Sequence, residues 1–167
     1  YNESGHPTIA DCRFYQNAAS AGGAIFNFYS DLTLTNCNFE NNFANGRGGA
    51  VLNLSSSATL IDCTFCGNVA DSWGGAMWSA WHSSLTLNHC TFKSNYAFEG
   101  GALSNETDSV AELVNCTLTD NHDTWGGGGA ILNSGSALML SGCSLTANSA
   151  HRVGGAVCND MWASVTL

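Results

Sequence analysis

The chain has 167 residues, of which only 10% are charged, with four Lys or Arg against 13 Asp or Glu and a net charge of −9. That balance argues against a nucleic-acid partner, which needs a basic footprint. No apolar run reaches the ~18 residues of a membrane-crossing helix, and no basic segment followed by an apolar one marks a signal peptide.

Gly, Ser, Thr and Asn occupy the places that charges take in an average soluble domain. A polar but uncharged surface suits a protein outside a cell or on its surface. The chain opens on Tyr1, so it reads as a mature product or a fragment.

The elements repeat. In chain order, each repeat opens on an apolar residue (Ile9, Leu34, Leu60, Leu87, Leu113, Leu140), and Leu167 resumes that row. Three residues later comes cysteine: Cys12, Cys37, Cys63, Cys90, Cys116 and Cys143. Two further on lies Phe14, Phe39, Phe65, Phe92, Leu118 or Leu145. Then comes an asparagine: Asn17, Asn42, Asn68, Asn95, Asn121 and Asn148. Gly-Gly-Ala closes the repeat at Ala24, Ala50, Ala76, Ala102, Ala130 and Ala156, with spacings of 26, 26, 26, 28 and 26. An aliphatic residue or Met follows, and two positions later lies a second asparagine row, Asn27, Asn53, Asn105, Asn133 and Asn159, with Ser79 substituting.

Within a repeat, Leu32-Thr33-Leu34 and Cys37-Asn38-Phe39 alternate apolar with polar. Period two means strands with one buried face. No stretch shows helical periodicity. About six coils of ~26 residues, each with three strands of ~3–5 residues, define an all-β single-stranded parallel solenoid. Coils stack ~4.8 Å apart, giving a rod roughly 29 Å tall. Equivalent residues then lie above one another. Leu, Cys and Phe face inward, Asn forms amide ladders, and Gly-Gly frees a corner in φ. Residues 1–167 read as one β-helix segment, open at both ends, cut from a longer rod or stacking as a protomer.

Gly-Gly-Ala-aliphatic paired with Phe-x-x-Asn resembles the repeat of the chlamydial polymorphic outer membrane proteins. The pairs are Phe39 to Asn42 with Gly48 to Val51, Phe65 to Asn68 with Gly74 to Met77, and Phe92 to Asn95 with Gly100 to Leu103. The resemblance implies a right-handed, pectin-lyase-like β-helix displayed at a cell surface, in adhesion or as a passenger. General crossover handedness agrees.

Candidate chemistry is sparse. Eight cysteines in an extracellular chain suggest disulfides, yet in-register side chains ~4.8 Å apart are too far for an easy bridge. A reduced or partly bridged stack is expected. Cys63 and Cys66 form one C-x-x-C without the second pair that zinc needs. The row Asp11, Asn36, Asp62, His89, Asn115, Gly142 sets its two acids ~10 Å apart, wide for a shared metal. His6, His82, His89, His122 and His151 fall in different rows. Neither a catalytic group, a cofactor nor a metal is expected, and the chain reads as no enzyme. Thr8, Thr33, Thr59, Thr86 and Thr166 resemble the flat arrays of ice-binding proteins, but Glu112 and Met139 interrupt them and strand propensity explains them.

Two surface features stay open. Phe26, Leu52, Trp78 and Leu132 follow the aliphatic step, so they form an outward apolar stripe, an interface or glycan platform, if the aliphatic faces in. Trp73 and Trp125 could stack on sugar. Sequons occur at Asn2, Asn53, Asn105 and Asn115, which is no enrichment over the roughly 3.4 expected by chance; Asn53 and Asn105 can carry glycans only if their row faces out. The expected role is an extracellular structural or adhesive rod that associates with itself end to end or laterally, or binds cell-surface glycans. The alternative is a carbohydrate-binding or carbohydrate-cleaving β-helix.

Overall fold

A computed structural model describes residues 1–167. The strands stack in parallel and in register into sheets running the length of a six-turn solenoid. The sheets number four, so a full coil carries four strands rather than three, the fourth fading to a single bridge at Ser149 in the coil that starts at Ile131. In the coil after Ala50 they are Val51–Leu54, Ser57–Ile61, Thr64–Cys66 and Val69–Trp73, one in each of the first to fourth sheets. The fourth strand escaped the sequence reading because it shrinks to two residues in Phe43–Ala44 and His122–Asp123, too short for alternation to show.

Registers pair like with like. Thr33, Thr59 and Thr86 are neighbours in the second sheet, and Phe39, Phe65 and Phe92 are neighbours in the third. The core is the lumen, a cluster of 27 buried residues drawn from the Leu, Cys, Phe, Ala and aliphatic rows. Phe14, Phe39, Phe65 and Phe92 stack with centroids 4.5, 4.7 and 4.8 Å apart and planes within 4°. A ring-to-ring step equal to the strand spacing lets one column satisfy both.

Corners explain the polar rows. The residue before each column cysteine has positive φ: Asp11, Asn36, Asp62, His89, Asn115 and Gly142. Left-handed backbone favours Asn, Asp, His and Gly, so this row is a corner. A second such row, from Gln16 through Asn41 and Gly67 to Ala147, precedes the asparagine ladder. The corner after the first sheet uses one left-handed residue in Tyr29 and Ser55, but two in the coils one residue longer, Trp81–His82 and Thr107–Asp108. In Gly-Gly the two glycines differ. Gly48 holds φ at +64°, whereas a Cβ on Gly49 would lie 2.0 Å from the Gly75 carbonyl oxygen of the next coil.

Candidate functional site

The interior rows are occupied in holding coils together. Asn42 accepts from the Asn17 backbone N–H and side-chain amide, and donates to Asn68 Oδ1 and the Phe14 carbonyl. This pattern continues through Asn95 and Asn121 to Asn148. The second asparagine row lies inside too: Asn27 donates to Asn53 Oδ1, and Asn105 to Asn133 Oδ1. Asn53 and Asn105 are 0% exposed, so the fold corrects both as glycan acceptors. Their row follows the inward aliphatic by two and must face the same way. Asn115 is exposed at its corner, and Asn2 is half-buried while donating to Asn27.

A serine ladder was missed. Ser30, Ser56, Ser83, Ser109 and Ser136 are buried, and each hydroxyl after the first accepts a backbone N–H from the preceding coil's serine. Its signal was a serine repeated immediately before each second-sheet strand from Asp31–Thr35 to Ala137–Ser141.

The cysteine column is in register, and all eight thiols are free. The column thiols donate weak bonds to carbonyls, Cys37 to Thr35 at 3.3 Å and Cys116 to Val114 and Leu87 at 3.4 Å. Burial pushes the Cys37 and Cys143 thiols up. The Cys90 thiol is raised by hydrogen bonding with Cys116 and Cys63, and then by burial. Such a column behaves as small hydrophobes.

What remains open to solvent is a groove along the outer face of the first sheet. Its floor holds the in-register column Phe26, Leu52, Trp78, Ser104, Leu132, Cys158. That stripe does face away from the lumen, but the expected exposure is corrected. Leu52 and Trp78 are 3% exposed and Leu132 6%, with Phe26 half-buried. The arm leading into each Gly-Gly corner folds over it: Ala21 and Trp73 pack on the cluster of Leu52, Leu54, Trp78 and Ala80. One wall is therefore the row just before Gly-Gly, in which Ala21, Arg47, Trp73 and Glu99 occupy successive coils.

The Arg47 guanidinium carbon lies 4.5 Å from the Trp73 ring centre and 4.7 Å from that of Trp78. Trp73 Nε1 donates to Glu99 at 3.0 Å. Trp78 Nε1 is buried without an acceptor. Neither indole thus offers a free platform for sugar of the kind expected at Trp73. Trp125, 53% exposed, stacks between Phe98 at 5.7 Å and His151 at 6.2 Å, so it presents an edge rather than a face. The histidines do not converge: His6 meets Asp31, His122 meets Ser149, and His89 lies at a corner beside Asn115.

One buried acid also went unread. Inward alanines line the fourth sheet at Ala44, Ala70 and Ala97, and Asp123 takes the next place at 0% exposure. Its Oδ1 accepts from the His151 backbone N–H while Oδ2 has no partner. Burial raises its pKa. The signal was the 28-residue spacing between Ala102 and Ala130, which marks a longer arm at this coil.

The model of the right-handed β-helix region family matches residues 1–111 and 48–161. Those spans cover most of the chain, which belongs to that family and is a right-handed β-helix repeat protein. Neither a curated protein nor a solved structure gives a significant match.

Proposed function

We propose that this chain is an extracellular β-helical rod with a structural or adhesive role, as its resemblance to the repeats of chlamydial polymorphic outer membrane proteins suggests. One observation carries the reading: the interior Asn and Ser rows are consumed in ladders between coils. A chain that spends its polar repeats on stacking gains a stiff, extended body, and presents its variable positions outside. The low charge and the net −9 fit a surface that faces solvent beyond the cell. Its partners are further copies, end to end or lateral, or cell-surface glycans.

Electron microscopy of the purified chain together with a cell-adhesion assay tests this. Rods or filaments that hold cells support the role; particles without extension, and no retention of cells, sink it. A carbohydrate-directed reading rests on Trp81, 49% exposed at the groove rim. Calcium-dependent cleavage of a uronate polymer would replace the structural role with that one.

A further inference from the structure

The groove changes chemistry along the rod. In its first half Phe26, Leu52, Leu54 and Trp78 line a cavity of about 370 Å³ with Arg47. The chain's ion pairs are His6–Asp31 and Arg13–Glu40, so Arg47 is left without a carboxylate. Its guanidinium is held in place by two indoles while its hydrogen-bonding edge stays unused. Beneath it lies the unpartnered Nε1 of Trp78, a residue 3% exposed. A buried donor without an acceptor is unfavourable, and an oxygen entering beside Arg47 would relieve it. Beyond Trp73 the groove continues into a second cavity of about 550 Å³, and Glu99, Glu106, Asp108 and Asp160 line it. Arg152 enters only at the far end.

We propose that this groove binds an extended polypeptide segment of mixed charge, with an apolar side chain and a carboxylate seated at Arg47 and basic side chains against the acidic half. Charge complementarity selects this occupant. A uniformly acidic polysaccharide meets four carboxylates in the second half, where like charges repel. A neutral sugar needs an open aromatic platform, and here Trp78 is buried and Arg47 covers Trp73, which leaves only the single half-exposed ring of Trp81 at the rim. The groove runs across the strands, so the segment is read by its side chains and adds no strand to a sheet. Arg47 lies two coils from Glu99 and four from Asp160, or roughly 10 and 19 Å at the strand spacing. At ~3.3 Å per extended residue, the basic positions fall about three to six residues from the carboxylate. The inference goes beyond the structural reading and holds whether or not the rod adheres to cells.

The test is fluorescence anisotropy on the full chain. The probe is a labelled synthetic peptide with leucine and glutamate at one end and two lysines about four residues away. Binding is expected to exceed that of all-glutamate and all-lysine peptides of equal length. Arg47→Met weakens it roughly tenfold or more, the worth of a charged hydrogen bond. Glu99→Gln with Glu106→Gln weakens it about threefold, as exposed pairs do, and added salt shrinks both losses. Equal affinity for the all-glutamate peptide, displacement by a neutral or uronate oligosaccharide, or indifference to Arg47→Met overturns the proposal. Circular dichroism checks the variants' folding. Should Arg47→Met not fold, a peptide with glutamine for glutamate answers on the unchanged chain, and undiminished affinity overturns the proposal.

Discussion

The lumen and the outer groove are built from the same coils, yet they follow opposite rules. Inside, one position keeps one residue: Asn17 to Asn148, Ser30 to Ser136 and Phe14 to Phe92 each form a column of like on like. Outside, Ala21, Arg47, Trp73 and Glu99 take one wall position in four successive coils. The difference lies in contact geometry. An amide donates to and accepts from a copy of itself one strand spacing away, and a phenyl ring stacks on its own kind at that distance. A wall residue answers to solvent and ligand, so nothing enforces repetition there. Within this chain, monotony marks scaffold, and variation marks the place to look for recognition.

Changes that break the stacking rule should cost most. Gly75→Ala places a Cβ 2.1 Å from the Gly101 carbonyl oxygen and 2.6 Å from that of Tyr96. Backbone on both sides cannot yield, so a loss above about 4 kcal/mol in denaturant unfolding is expected. Gly135→Ala is the matched control. Its Cβ meets nothing closer than 3.7 Å, and only its φ of +57° is strained, for about 1–2 kcal/mol. Equal losses would show that space between coils does not set the Gly-Gly row.

Next in size is the phenyl stack. Phe65 is 0% exposed between Phe39 and Phe92, so Phe65→Ala should cost about 3–5 kcal/mol. Asn95→Leu follows. It removes the acceptor of the Asn68 N–H and amide, along with donors to Phe65 and Asn121. A loss of about 2–3 kcal/mol is expected, because a buried N–H is left bare. Asn115→Ala, at an exposed corner, should cost about 1 kcal/mol from its left-handed φ. Thermal melts of the three variants rank them, and an Asn115 loss matching that of Asn95 would remove the distinction between ladder and corner.

Most of the scaffold was legible because its rule writes itself into the sequence. A column of identical neighbours becomes a period of 26 residues, and the Cys, Phe and Asn rows fix the register. Three things were not legible. The fourth strand is too short to alternate. The sense of the Asn53 row depended on which way Val51 and Met77 point, and that needs the lumen. The groove forms only because the arm before Gly-Gly folds back over Leu52 and Trp78, a contact between segments whose distance in space no spacing reveals. By sequence alone Arg47 is one of four basic residues, Arg13, Arg47, Lys93 and Arg152, with nothing in the repeat to single it out.

The smallest expected effect tests a place where the interior breaks its own rule with a charge. Asp123 sits where Ala44, Ala70 and Ala97 sit in earlier coils, fully buried and with Oδ2 unpartnered. Burial first, with the nearby Glu99 carboxylate adding to it, raises its pKa above the usual 3.8. The folded state then holds its proton more tightly than the unfolded one, so this group favours folding most below that value and loses the contribution as pH rises through the folded pKa. Asp123→Asn keeps an oxygen for the His151 N–H and removes the charge. The variant should melt higher than the parent at neutral pH, by no more than about 1 kcal/mol, with the gap closing below pH 3.8. A variant less stable at neutral pH would mean that the carboxylate, rather than the amide, is what this longer arm was built to hold.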